Sequence, residues 1–279
     1  MEILDLLWGT ILLRPYVFVF FAVYFTIATL NMGVFRSLCF TVLAYSIAYL
    51  SEFSSTRNGF PYGFYSYIDV TRDQEIWIIN VPFMDSLSYS FLSYVSLTMS
   101  LLFWSNLSGE GSNIRIVEDK QIFKSWRVIL TGAILFMLMD VIIDPVAFRG
   151  DQWFLGKIYT YQEEGEYFNI PLTNFAGWFI VGTTILYSFS RLDDFLERTL
   201  SLKRGGYEAP FKPYLGPALY IGVLIFNLAV TFYIGEILLG ICGMVVFSTI
   251  AVFFYQKLKE SSIKFPRAQS NIPKKNNRF

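Results

Sequence analysis

The sequence of 279 residues contains no histidine, and this absence restricts the chemistry open to the protein. Histidine-ligated zinc and haem sites and Ser-His-Asp triads all require an imidazole, so none of them can be built here. Any acid–base chemistry must therefore use Asp, Glu, Tyr, Lys or Cys. Cysteine is scarce as well: Cys39 and Cys242 both lie in apolar stretches. We expect them to be small core residues, not disulfide partners or metal ligands.

Charge is also scarce, because only 16% of the residues are charged while 54% are hydrophobic and 19% are aromatic. Soluble domains carry about a quarter charged residues. The charges here cluster between apolar stretches of roughly 17–22 residues, a length that crosses ~30 Å of hydrocarbon as a helix. These features predict an all-α, polytopic integral membrane helix bundle. Lys+Arg and Asp+Glu both number 22, and no basic aromatic patch is present, so we expect no nucleic-acid partner.

Seven transmembrane helices are predicted, because backbone groups within a membrane must be satisfied inside their own segment. They cover about residues 13–31, 34–51, 84–104, 126–144, 173–190, 214–232 and 236–256. We expect residues 1–256 to form a single transmembrane domain. Residues 257–279 are rich in lysine and arginine and are predicted to be a disordered cytoplasmic tail.

The orientation follows from the distribution of positive charge, since lysine and arginine accumulate on the cytoplasmic side of membrane proteins. One side of the predicted spans carries 17 of these residues and the other carries 5. This bias predicts an outer N-terminus and a cytoplasmic C-terminus in a multi-pass protein of the cell membrane. It also places the two long links, 52–83 and 145–172, on the outer face.

Polar side chains gather at the outer ends of the predicted helices. Ionisable groups at membrane depth are costly, and they usually line a cavity or pair with one another. We therefore predict one polar pocket in the outer half of the bundle, although each residue could instead cap a helix end. We see no equivalent group on the cytoplasmic side. The six residues are Glu52, Asp85, Asp140, Asp144, Asn174 and Glu236.

Asp140 and Asp144 form the most informative pair, because a spacing of four residues places both carboxyl groups on one helix face. We expect Pro145 to loosen the helix beside them, since proline lacks a backbone N–H. Two neighbouring carboxylates in an apolar environment cannot both ionise cheaply, so one should keep its proton. A buried protonated carboxyl group is a competent general acid.

The two long links are rich in aromatic residues and turn formers, in "NGFPYGFYSY" (residues 58–67) and "NIPLTNFAGW" (residues 169–178). Aromatic belts at the membrane interface are common and could account for some of these rings. The repeated combination of a turn with a ring cluster instead favours a lid or wall over the acidic pocket. The predicted substrate-binding residues are Phe60, Tyr62, Tyr65, Tyr67, Trp153, Asn174 and Trp178.

Three motifs in order support a family resemblance: "GFPYGFYSY" after Glu52, "MDVIIDPVA" at 139–147, and "YFNIPLTNFAGW" at 167–178. Over roughly residues 30–255 the chain resembles the CruF-type carotenoid 1,2-hydratases, a family that includes bisanhydrobacterioruberin hydratases. The resemblance implies addition of water across the C1–C2 double bond of an acyclic carotenoid end group, without a cofactor. The implied partners are an acyclic carotenoid, the lipid bilayer and other membrane enzymes of the carotenoid pathway. The chain contains no dinucleotide fingerprint, no P-loop and no metal-ligand spacing.

A mechanism without histidine follows as a hypothesis. The Asp140/Asp144 pair would protonate C2, with Asp144 slightly favoured as the donor because Pro145 follows it. Glu52 or Asp85 would deprotonate the water that captures the cation at C1, and Asn174 would orient that water. Aromatic rings would stabilise the cation.

Other functions compete with this interpretation. A retinal-binding photoreceptor needs a lysine in its last span, and residues 236–256 contain none. A transporter or lipid-binding protein is the main non-enzyme alternative. A carotenoid cyclase or isomerase would also begin by protonation. The sequence leaves open whether the carotenoid is C40 or C50 and whether one or both of its ends react.

Overall fold

A computed structural model of the chain describes residues 3–108, 115–116, 120–202, 206–207 and 209–264. Within these residues, seven helices are long and apolar enough to cross a membrane, which confirms the predicted all-α multi-pass fold. They are α2 (Pro15–Met32), α3 (Val34–Asn58), α4 (Phe83–Trp104), α6 (Trp126–Ala147), α7 (Leu172–Arg198), α8 (Lys212–Tyr233) and α9 (Ile237–Lys264). Two shorter helices, α1 (Ile3–Leu13) and α5 (Lys120–Phe123), were not predicted.

Glycine and proline set several of the helix ends. Gly33 alone separates α2 from α3, and its φ of 82° is a conformation that glycine adopts without steric cost. Gly59 ends α3 in the left-handed conformation (φ 79°), and its N–H donates to the carbonyl of Ser55 at 3.0 Å. Pro15 and Pro213 stand in the first turns of α2 and α8, where a missing N–H costs nothing.

Several boundaries differ from the sequence prediction. Helix α3 continues past Glu52 to Asn58, and α7 continues to Arg198. Helix α6 does not end at Asp144: it passes through Pro145 to Ala147, and the Phe148 N–H then donates to the Asp144 carbonyl at 2.8 Å. Helix α9 extends to Lys264, so residues 257–264 of the expected disordered tail are helical. The rest of that tail lies outside the described residues.

Helix α4 is the central element, and it packs against α2, α3, α6, α7 and α8. Five of its buried residues are serines, whose small side chains allow close helix approach. Their hydroxyl groups do not remain unsatisfied: Ser96 donates to the Leu92 carbonyl at 2.8 Å, and Ser100 donates to the Val128 carbonyl of α6 at 2.7 Å. This helix therefore fixes the positions of the others.

One end of the bundle, which we call the basic end, is held by ion pairs. Arg36 at the start of α3 donates to Asp193 of α7 at 2.7 Å and to the Leu202 carbonyl at 2.5 Å. Lys124 bonds to the neighbouring Asp194. The expectation that buried carboxylates occur only at the opposite end was wrong, because the Asp193 residue is 3% exposed.

The opposite end, the acidic end, is closed by the two long links. They form short antiparallel strands that were not predicted: β1 (Tyr65–Tyr67) pairs with β6 (Tyr159–Tyr161), and β2 (Trp77–Ile78) pairs with β3 (Val81–Pro82). A third pair, β4 (Leu107–Ser108) with β5 (Arg115–Ile116), lies in the link between α4 and α5. We call the β1–β6 pair the tyrosine ribbon, because it brings together Tyr65, Tyr67, Tyr159 and Tyr161.

A buried arginine ties these links to the helices. Arg14, between α1 and α2, donates to the Leu155 carbonyl at 3.0 Å and pairs with Glu75 at 3.5 Å. The single side chain of Arg14 thus fastens both links to the start of α2, and the tyrosine ribbon joins the two links to each other.

Candidate active site

A cavity of about 140 Å³ lies at the acidic end, between the helices and the tyrosine ribbon. Most of the sequence-predicted site residues line it. They are Glu52, Tyr62, Tyr65, Tyr67, Asp85, Asp140, Asp144, Trp153, Asn174 and Trp178. The pattern of polar groups at helix ends therefore located a real pocket, because alternating antiparallel helices bring these ends together.

Two predicted residues lie elsewhere. Phe60 is 63% exposed and does not line the cavity. Glu236 was expected in the pocket, but its carboxylate accepts a hydrogen bond at 2.6 Å from Nε of Arg149, which follows α6. Arg149 also donates to the carbonyls of Pro145 and Phe168. Glu236 thus belongs to an ion pair that holds the link after α6, and not to the cavity wall.

Asp140 and Asp144 lie on one face of α6, as predicted, and both line the cavity. Asp144 accepts three side-chain hydrogen bonds: from the hydroxyl of Tyr159 on Oδ1, from that of Tyr161 on Oδ2 (3.2 Å), and from Nδ2 of Asn174 on Oδ2 (3.0 Å). Asp140 is fully buried and accepts one, from Nδ2 of Asn174 on Oδ2 at 2.7 Å. The two carboxyl groups therefore have different surroundings.

Asn174 was expected to orient a water molecule, but its amide nitrogen is occupied by the two aspartates. It lies in the first turn of α7, and its contacts bind α7 to α6 at the cavity floor. The side chain is better described as a bridge that fixes the distance between the two carboxyl groups.

A second carboxyl pair, Glu52 of α3 and Asp85 of α4, lines the same cavity. Glu52 is 3% exposed and accepts a hydrogen bond from the hydroxyl of Ser86. Asp85 has a buried oxygen, Oδ2, without a hydrogen-bond partner among the described residues. Burial raises the pKa of the neighbouring Tyr67 phenol, and the charges of Glu52 and Asp85 raise it further. This phenol therefore stays protonated beside the two acids.

Aromatic rings form the wall nearest α7. Trp178 stacks on Tyr89 at a centroid distance of 4.5 Å and packs against Phe136 at 4.6 Å. Tyr62, in the turn after α3, is 6.4 Å from Trp178. Its hydroxyl is 2.9 Å from Oγ of Ser51. The motif at residues 58–67 thus contributes three rings to the cavity wall, Tyr62, Tyr65 and Tyr67, whereas Phe60 is exposed.

The cavity wall between α2 and α8 is largely apolar. Tyr16 and Phe20 of α2 and Val223 of α8 line it. Phe226 of α8 bridges the two helices, stacking on Tyr16 at 5.3 Å and meeting Phe20 edge-on at 5.6 Å. Acidic groups and an apolar aromatic wall thus face the same space.

Sequence reasoning missed Tyr159 and Tyr161, which contact Asp144 directly. A signal for them exists, because "YSY" in the first link and "YTY" in the second each place tyrosines two residues apart. That spacing puts both rings on the same face of a strand. The pairing of the two segments could not be read from either segment alone.

The cavity shows no metal-binding arrangement. Although four carboxyl groups line it, no three acidic or cysteine side chains in the described part of the chain come together closely enough to hold a metal ion.

Comparison with known proteins yields one match. No curated protein sequence and no solved structure shows significant similarity to the chain. The model of the family described as "Carotenoid biosynthesis protein", however, matches residues 12–249, which include all seven spanning helices apart from the end of α9. The chain therefore belongs to the carotenoid biosynthesis protein family.

Proposed function

We propose that the protein is a carotenoid 1,2-hydratase, which adds water across the C1–C2 double bond of an acyclic carotenoid end group. The observation that carries this proposal is the Asp140/Asp144 pair, in which Asp140 is buried and Asp144 is half-buried, held by Asn174 at the wall of a cavity rich in aromatic rings. A weakly basic alkene needs a strong, enclosed proton donor, and such a carboxyl pair is suited to supply one. Membership of the family supports a carotenoid substrate.

The size of the cavity supports chemistry at the end of the carotenoid. Its volume of about 140 Å³ is close to that of an engineered cavity of ~150 Å³ that binds benzene. A terminal isoprenoid unit fits in such a space, whereas a complete carotenoid does not. The remaining polyene would leave along the apolar wall that Tyr16, Phe20 and Val223 form between α2 and α8.

The reaction balances without an external oxidant or reductant. A carboxylic acid of the aspartate pair transfers its proton to C2, and the π electrons of the double bond form the new C–H bond. The resulting tertiary cation at C1 is captured by water, which forms the C–O bond. The water then loses a proton to a carboxylate, Glu52 or Asp85, and proton exchange within the cavity restores the acid. The net change is the addition of one water molecule.

The cation needs stabilisation where water is largely excluded. The ring faces of Trp178 and Tyr89 and the carboxylates of the cavity provide it, with each ring contributing roughly 0.5–2 kcal/mol when desolvated. The excess of lysine and arginine at the basic end supports an orientation in which this end faces the cytoplasm and the acidic end faces outward in the cell membrane.

Expression in a lycopene-producing host, followed by mass analysis of the pigments, tests this function. The wild-type protein should add the mass of one water per reacted end. Asp140→Asn and Asp144→Asn should each reduce the product at least roughly a hundredfold, in line with the loss of a general acid or its partner. Asp151→Asn, which alters an exposed acid outside the cavity, is the matched control and should keep full activity.

The outcomes separate the competing functions. Cyclisation or isomerisation would change the pigment without changing its mass, and a transporter would leave the pigment unchanged. Either result with the wild-type protein would refute the hydratase proposal. So would full hydration by a double Asn variant that is produced at the wild-type level.

A further inference from the structure

We infer that Tyr159 and Tyr161 hold Asp144 in its ionised form, so that Asp140 carries the transferable proton. The chemical consequence of this division rests on the proposed function, whereas the division itself depends only on the hydrogen bonds of the cavity. It makes the tyrosine ribbon a positioning device for the acid pair, and not only a cover over the helix ends.

The donors around Asp144 carry the first step. Its two oxygens accept bonds from two phenols and one amide, and all three groups act as donors to it. Hydrogen bonds donated to a carboxylate stabilise its charged form. If Asp144 were protonated, its O–H would need an acceptor. A phenol that turned to accept this bond would no longer have an acceptor for its own O–H.

Asp140 is in the opposite situation. It accepts one bond on Oδ2, and its Oδ1 is buried without a hydrogen-bond partner among the described residues. An ionised carboxylate at this position would leave a charged oxygen desolvated and unpaired, which costs far more than a neutral group does. It would also lie one helical turn from the charge on Asp144. The proton therefore belongs on Asp140, and Oδ1 is the atom free to carry it.

The phenols remain donors across the physiological range. Burial raises the pKa of Tyr159 and Tyr161 well above the ordinary value of tyrosine, and the charge of Asp144 raises it further. The Asn174 amide cannot be reversed without placing its carbonyl oxygen against both carboxyl groups. This assignment reverses the sequence-based preference for Asp144 as the donor, which rested on Pro145 loosening the helix.

Infrared spectroscopy of the purified full-length protein at neutral pH, without substrate, tests the assignment independently of activity. Glu52 and Asp85 face the same cavity and can contribute carboxyl bands, so only the difference between wild type and variant is interpreted. Asp140→Asn should remove one protonated-carboxyl band. Asp144→Asn should leave that band present, with a shift in position. Loss of the band in Asp144→Asn, or its persistence in Asp140→Asn, would overturn the assignment.

A second comparison tests the role of the two phenols. When Tyr159→Phe and Tyr161→Phe are added to Asp140→Asn, Asp144 loses two donors, and a protonated-carboxyl band should reappear. Tyr220→Phe in the same background is the matched control. It removes a buried hydroxyl bonded to the Leu135 carbonyl, away from the carboxyl groups, and should restore no band. Absence of the band in the tyrosine variants, or its presence in the control, would refute the positioning role.

The single variant Tyr159→Phe provides a readout that does not require the multiply substituted variants to fold. Tyr159→Phe alone should shift the Asp140 band, because it removes a hydrogen bond from the neighbouring Asp144 carboxylate. In the hydratase assay it should lower kcat by roughly tenfold with little change in KM. An unshifted band, or a change confined to KM, would contradict the inference.

Discussion

Gly177 offers the sharpest test of how the two sequence motifs fit together. It lies in the first turns of α7, where an added Cβ would be 2.5 Å from Cδ1 of Tyr62 and 2.7 Å from the carbonyl oxygen of Pro61. Hydrogen bonds restrict the movement of Tyr62 away from the added Cβ. The Tyr62 N–H donates to Oγ of Ser55, and its hydroxyl is bonded to Ser51. Gly177→Ala must therefore push the turn away from α7.

The loss of stability in Gly177→Ala is best judged against a matched variant, Gly222→Ala. Gly222 lies inside α8, where an added Cβ would meet no described atom within 4 Å. Both Gly→Ala changes gain about 1 kcal/mol of helix propensity, but only Gly177→Ala pays for overpacking, which costs about 1–3 kcal/mol. Gly177→Ala should therefore be less stable than Gly222→Ala by about 1–3 kcal/mol.

Thermal unfolding of both variants tests the order of their stabilities. Both are measured in one detergent and at one scan rate, because membrane-protein unfolding is often irreversible and the apparent Tm then depends on scan rate. Gly177→Ala should have the lower apparent Tm. It should also lose hydration activity, because Tyr62 moves with the turn and away from Trp178 of α7. Equal or higher stability of Gly177→Ala relative to Gly222→Ala would refute the close contact between the turn and α7.

Two further predictions concern the aromatic groups. Trp178→Leu should reduce turnover roughly tenfold or more, because it removes a cation-stabilising ring of the cavity, whereas Phe60→Leu should stay within about twofold, since this ring is exposed. Similar losses in both variants in the pigment assay would contradict the cavity assignment. Secondly, the raised pKa of Tyr159 and Tyr161 favours their neutral forms in the folded protein, while the unfolded phenols ionise near 10.0. Stability should thus be full below pH 10 and fall as the pH rises above it. Phenolate absorbance should show these two rings ionising only when the protein unfolds. The Tyr159→Phe/Tyr161→Phe variant, compared with wild type, identifies their contribution to the absorbance. Ionisation of the two rings in the folded state would contradict the burial argument.

Much of the fold could be predicted from local pattern. Each spanning helix is a long apolar segment, and such a segment must form a helix in a membrane whatever surrounds it. The positions of Glu52, Asp85, Asp140, Asp144 and Asn174 in one pocket followed from their place at helix ends and from the alternation of short connections. Glu236 fits the same pattern, yet it lies outside the pocket because Arg149 binds it. The competing partner lies 87 residues away, and no local pattern contains it.

The protonation roles could not be predicted in the same way. The i, i+4 spacing of Asp140 and Asp144 placed both carboxyl groups on one face, but it treats the two residues as equivalent. What distinguishes them is the set of donors around each, and these come from a strand in one link and from the start of α7. Helix α6 likewise continues through Pro145 to Ala147, against the local preference of proline.

The sequence by itself determined that this chain has seven helices able to span a membrane, that its chemistry works without histidine, and that Glu52, Asp85, Asp140, Asp144 and Asn174 lie at one end of the bundle. These properties depend on composition and on periodicity along the chain. Only the tertiary structure decided which groups are in contact. The tyrosine ribbon donates hydrogen bonds to Asp144, Asn174 bridges the two aspartates, and Arg149 pairs with Glu236 outside the cavity. Hydrogen bonds and ion pairs depend on distances of a few ångströms between residues far apart in sequence, and only the folded chain sets those distances.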